Sequence, residues 1–253
     1  IGKSTWITEE PGLITLIKYL PDFLKEYFVD FIFSFIFDEE GKFNMENPAP
    51  AEYNLSDMAM DGIALLDHLE ISEAHIIGAS MGGMIAQVMA LEHSDRVKSL
   101  TLIFTTPGFD TPGLSGPSES FKAAMKESFL LNLSGNEIGA LIVTEEALTG
   151  SRFPFNKNNF IEKAKIRLNQ GINISNAQTA AVGASPNRAS SLKYINQPTL
   201  IIHGTEDPLI PVDHGMYLFD NITNSKKLIL EGVGHEIPDQ LLQEIIPAIV
   251  RNF

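Results

Sequence analysis

The stretch HIIGASMGGMIAQVMAL, residues 75–91, leaves the chain few choices of fold. His75–Ala79 is a short apolar run. From Met81 onward Ile85, Ala86, Val88, Met89 and Leu91 recur at helical spacing. A switch of period across one residue reads as a strand entering a helix through a sharp turn. Ser80 stands at that turn, in the pattern G-x-S-x-G, which calls for this strand–turn–helix setting. A turn of this kind strains the serine backbone, so Gly78, Gly82 and Gly83 are read as the small neighbours it needs. The hydroxyl is thereby lifted out at the carboxyl end of a strand, where open α/β sheets place their ligands.

The remaining elements agree. Asn54-Leu55-Ser56-Asp57 reads as a capping box with Asn54 as the cap. The helix behind it runs to about Leu69, with Leu55, Met58, Ala59, Ala64, Leu66 and Leu69 expected to face inward. Strands are expected at Val97–Phe104, Pro198–Gly204 and Lys227–Leu230, and a closing helix at Pro238–Phe253. Strand and helix alternate, which points to a mainly parallel sheet flanked by helices. Residues 105–192 differ in character. Pro107, Pro112 and Pro117 sit among Gly and Ser, and helical patterns follow at about 118–132, 135–149, 157–170 and 175–183. The expected division is an α/β core at 51–104 and 193–253, a helical cap at 105–192, and an apolar helical insertion or lid at 1–50.

Within the front segment, residues 13–37 are rich in Phe, but Lys18, Asp22, Lys25, Glu26 and Asp30 interrupt them. Charges in a bilayer core are costly, so this is not read as a membrane span. Pro21 should bend or restart the helix, and the stretch is expected to be a buried or capping helix pair, the alternative being a lid or interfacial element over an apolar site. The formal charge of −14 argues against a nucleic-acid partner, which needs basic patches, and against docking on anionic membrane by charge. There is no cysteine, hence no disulfide or thiolate chemistry. The first residues are not read as a signal peptide, and a cytoplasmic location is expected.

A serine hydroxyl is a poor nucleophile until a base takes its proton, and the base needs an orienting acid. Two loops downstream of other strands supply candidates: His203–Pro211, with the acidic pair Glu206-Asp207, and Gly232–His235. Both leave the same end of a parallel sheet as Ser80. Asp207 is preferred to Glu206 as the acid, because the loop turns at Pro208 and fixes that side chain. His235 is the base; His68, His93 and His214 are read as surface or packing residues, and His203 as a structural hydrogen-bonder. The backbone N–H of Met81 is the expected oxyanion donor. No group of side chains has metal-ligand spacing, and no Lys-Ser/Thr follows the glycines as a phosphate loop requires, so neither metal nor other cofactor is expected.

With Asn54–Ala59, Ala74–Gly83, Asp95-Arg96-Val97, Ser151–Phe155, Pro198–Pro211 and Gly234-His235 in hand, the chain resembles the α/β-hydrolase superfamily over residues 50–253, and within it the esterase branch of the aclacinomycin methylesterase type. The order Ser80, Asp207, His235 is that family's nucleophile–acid–base order. The resemblance implies hydrolysis of a carboxylic ester through an acyl-enzyme, and a cap and apolar cover over Ser80 would make that substrate a small or medium apolar ester. Alternatives are C–C bond hydrolysis or cofactor-free perhydrolysis on the same three residues, or a non-catalytic binding module. The family has several strands before the nucleophile turn, one of them followed by a loop giving a second oxyanion donor. Here Ile1–Thr5 resembles the loop after the fourth strand. The chain is therefore expected to begin late, without its first strands, leaving the Ser80 strand as an apolar edge and the second donor upstream; the alternative is that Phe28–Phe37 replaces a strand.

Overall fold

The computed structural model describes residues 20–46, 50–169 and 176–253. Ile1–Thr5 and the first part of the apolar stretch, residues 13–19, lie outside them. The described chain begins with helix α1 (Asp22–Ile36), which starts directly after Pro21; a ring without an N–H can precede a helix but not continue one. Phe28–Ile36 is thus helical and does not replace a strand. Phe37 only makes an isolated antiparallel bridge to Phe43.

Helix α2 (Leu55–His68) opens with the expected box: Asn54 Oδ1 accepts from the N–H groups of Ser56 and Asp57, and Asp57 accepts from Asn54 N. Leu55, Ala59 and Ile63 are its buried residues. Ala64 and Leu69 point outward, contrary to expectation, because the buried stripe steps by four from Leu55 and passes through Ile63. Strand β1 (Ala74–Ala79) and helix α3 (Met81–Glu92) follow, then β2 (Val97–Ile103). Four helices come between β2 and β3: α4 (Glu119–Leu133), α5 (Glu137–Leu148), α6 (Lys157–Asn169) and α7 (Asn176–Gly183). β3 (Thr199–Gly204), α8 (Val212–Asn221), β4 (Ser225–Leu230) and α9 (Leu242–Val250) complete the chain.

The sheet is parallel throughout, in the order β1-β2-β3-β4. Sequential order with right-handed crossovers sends the connecting helices to one face. There α2, α3 and α8 pack through Leu55, Ala59, Met84, Val88 and Leu218 against Leu100, Leu102 and Ile201. The opposite face carries Ile103, Leu200 and Ile202 against Leu241 and Ile245, at the start of α9 and within it. Covered on both faces, β3 is buried at all six positions. β1 pairs only with β2 among the described residues, and Ile77 on it is 51% exposed. Helix α1 lies on α4, with Val29, Phe28 and Phe33 packed against Leu133, Phe129 and Leu130, and with an ion pair from Lys126 to Asp30. Its Tyr27, Phe31 and Phe35 face outward. No helix among the described residues is long and apolar enough to cross a membrane.

Candidate active site

Ser80 joins β1 to α3 with φ 54° and ψ −122°. A non-glycine residue there costs about 1–3 kcal/mol and persists only where the surroundings fix it. Four bonds do so. Ser80 N donates to Ile103 O at 2.8 Å, Gly83 N and Met84 N donate to Ser80 O at 2.9 and 3.2 Å, and Thr105 Oγ1 donates to Ser80 O at 2.7 Å. The glycines divide into two kinds. A Cβ at Gly78 would overlap the Gly82 carbonyl, and one at Gly83 would lie 2.7 Å from the Thr105 side chain. A Cβ at Gly82 would meet nothing within 4 Å, so the expectation that packing requires all three is corrected: Gly82 sits on the open side of the turn. Ser80 is half-buried, and its Oγ makes no hydrogen bond among the described residues. The Met81 N–H, at the first position of α3, likewise has no acceptor there.

Asp207 and His235 are brought together: Asp207 Oδ2 lies 2.6 Å from His235 Nδ1. The acceptor is a carboxylate, so Nδ1 carries the proton and Nε2 keeps its lone pair. Asp207 is buried, and its other oxygen accepts from the N–H groups of Leu209 at 3.0 Å and Ile210 at 2.8 Å. The turn after Pro208 thus fixes the carboxylate through two backbone donors. Burial works to raise the Asp207 pKa, but hydrogen bonds from His203 and His235 and their charges outweigh it, and the group stays below the ordinary carboxylate value. His203 is fully buried with Nε2 2.8 Å from Ile210 O, so Nε2 bears its proton; it also stands 3.5 Å from Asp207 Oδ2. A base that takes the Ser80 proton should lie within hydrogen-bonding range of its Oγ, and no hydrogen bond joins Ser80 Oγ to His235. Such bonds are often long before a ligand arrives.

Glu206 faces elsewhere: its carboxylate accepts from Ser151 N and Ser151 Oγ, both at 2.7 Å. These bonds hold its pKa below the usual value. Phe104, with φ 48°, closes β2 and sets its ring 5.7 Å from that of His235 and 5.8 Å from that of His203. Nothing in a strand-final phenylalanine signals that place. His214 is neither surface nor simple packing. It is buried, with Nδ1 2.8 Å from Thr106 Oγ1 and Nε2 2.9 Å from Ser115 O. Burial lowers its pKa against the opposing bond to Ser115. Arg188 is buried as well, bonded to the carbonyls of Pro186 and Thr106, and burial pushes it down to about 10. A cavity of about 1270 Å³ between residues 33–46 and 109–112 is lined by Phe37, Phe43, Phe109 and Lys122, and does not include Ser80, Asp207 or His235.

Comparison with known proteins adds three findings. A family model described as alpha/beta hydrolase fold matches residues 42–240. Among curated proteins, 3-oxoadipate enol-lactonase 2 of Acinetobacter baylyi is 26% identical over 230 residues, which is 90% of this chain and 82% of that one. Rhodomycin D methylesterase DauP of a Streptomyces species is 25% identical over 217 residues, 78% and 72% of the two chains. Among solved structures, a meta-cleavage product hydrolase from Pseudomonas fluorescens matches with a TM-score of 0.60 at 21% identity, covering 82% of this chain and 74% of that one.

Proposed function

The chain belongs to the α/β-hydrolase fold family, and from that premise we propose that it is a serine hydrolase cleaving carboxylic esters through an acyl-enzyme. Ser80 Oγ attacks the ester carbonyl carbon while His235 Nε2 takes its proton. The developing oxyanion is met by the Met81 N–H, which is free to donate to it. Collapse of the tetrahedral intermediate expels the alcohol, to which His235 returns the proton. A water then repeats the sequence and releases the acid. Asp207 holds the imidazole with Nε2 as acceptor and stabilises the imidazolium.

The observation that carries this reading is the 2.6 Å bond between Asp207 and His235. The loops after β3 and β4 deliver it at the end of the sheet where β1 turns at Ser80. Two of the curated relatives, a lactonase and a methylesterase by name, support the ester class; others are semialdehyde and dienedioate hydrolases by name, which keeps C–C bond hydrolysis on the same three residues as the second reading. Helices α4–α7 form the cap, and the substrate is a small or medium apolar ester. A fluorophosphonate probe should label Ser80, and Ser80→Ala should abolish both labelling and hydrolysis of p-nitrophenyl esters. Labelling that persists in that variant would remove Ser80 from the reaction.

A further inference from the structure

We infer that Glu206 is a positioning residue for the proposed ester hydrolysis, holding the connector between α5 and α6 and through it the backbone of His235. The inference rests on the reading of His235 as the base. Glu206 competes with Asp207 for the acid role in the sequence, and the structure gives it a different partner. Both of its carboxylate oxygens accept from one residue, Ser151, through the backbone N–H and the hydroxyl. One residue earlier, Gly150 N donates to Glu236 Oε1 at 2.9 Å. The chain neighbours of Asp207 and His235 therefore grip consecutive residues of the same connector.

The end of α5 and the connector answer with bonds of their own. Leu148 O accepts from His235 N at 2.8 Å, and Arg152 N donates to Gly232 O at 2.7 Å. The seam is too tight for side chains: a Cβ on Gly150 would overlap Gly232 and Gly234, and one on Gly234 would overlap Leu148 O. β4 ends at Leu230; beyond it Gly232 N donates to Thr205 Oγ1 and Val233 O accepts from Glu206 N, while the His235 N–H itself is held by Leu148 O. Asp207 holds one edge of the imidazole. No bond from Ser80 holds the other. The direction of Nε2 is then set by where the His235 backbone sits, and that depends on the clamp.

Glu206 is exposed, and substitutions at exposed positions usually leave global stability nearly unchanged. A misplaced base, by contrast, slows the chemical step steeply, since small displacements of reacting groups are costly. The test compares Glu206→Gln, Ser151→Ala, their double variant and Ser151→Thr in the whole chain. Hydrolysis of p-nitrophenyl butyrate is measured, with active sites counted by fluorophosphonate and the thermal midpoint followed alongside. Each of the first two variants should lose about tenfold in kcat per active site, with KM within twofold of the parent. The double variant should be no worse than either single one, because both break the same contact. Ser151→Thr keeps both donors and should stay within twofold of the parent. An unchanged kcat in Glu206→Gln, a loss that merely follows the count of active sites, or losses that multiply in the double variant would each overturn the clamp. Retention of hydrolysis by Ser80→Ala would overturn the underlying reaction as well, whereas Ser80-dependent hydrolysis with an unaltered Glu206→Gln would overturn the clamp alone.

Discussion

Replacing Asp207 by Asn changes one atom and tests the proposed chemistry most sharply. Asp207 Oδ1 accepts from two backbone N–H groups, those of Leu209 and Ile210. An asparagine that turned its NH₂ toward them would lose two hydrogen bonds, each worth about 1 kcal/mol, and would oppose donor to donor. It therefore keeps its oxygen there and presents its NH₂ to His235 Nδ1. That nitrogen must then accept, the ring proton moves to Nε2, and the base has no lone pair for Ser80. The same wrong-tautomer substitution in serine proteases costs about 10⁴ in kcat, or about 5 kcal/mol of barrier. Asp207→Asn should fall by that order, with KM and the thermal midpoint nearly unchanged, measured by p-nitrophenyl ester hydrolysis and thermal unfolding. A variant retaining more than a tenth of the parental kcat would refute the assignment of Asp207 as the acid.

Gly78→Ala should destabilise the fold by about 1–3 kcal/mol, because the new methyl overlaps the Gly82 carbonyl, and should abolish probe labelling; Gly82→Ala, with open space around it, should unfold within about 0.5 kcal/mol of the parent. A fall with Gly82→Ala as large as with Gly78→Ala in urea titrations would contradict the elbow geometry. The folded-state pKa of His214 lies below its ordinary value of 6.5, so the unfolded chain binds the extra proton, and stability is lost as pH falls below about 6.5, by up to about 1.4 kcal/mol per pH unit from this group. His214→Asn should flatten that dependence between pH 7.5 and 5.5 while lowering stability at both, and an unchanged slope would show that His214 is not the group responsible.

The elbow was legible because its signal is local: strand, glycine, serine and helix fall within seventeen residues, and Gly78 is required by Gly82, four residues away. Asp207 was separable from Glu206 because its two fixing donors lie in its own loop. The helices between β2 and β3 were readable to within about two residues from their period. Long-range partners carried no such mark. His214 is buried by Thr106 and Ser115, 108 and 99 residues away. Glu206 finds Ser151 across 55 residues. The inward face of α2 differs from its apolar pattern at Ala64, because the buried stripe is narrower than the hydrophobic one, and at Leu69, because the helix ends at His68 and Leu69 only caps it.

Among the described residues β1 has a neighbour on one side only, yet its last turn is tied inward. Ser80 N donates to Ile103 O, and Ser80 O accepts from Thr105. Amide hydrogen exchange should read this difference directly. The β1 amides that face away from β2 have no ladder partner among the described residues and should exchange quickly. The Ser80 amide can exchange only when the end of β2 lets go. A single slow proton at Ser80, beside fast ones along the same strand, would time how often this turn comes apart while the rest of the sheet stays closed.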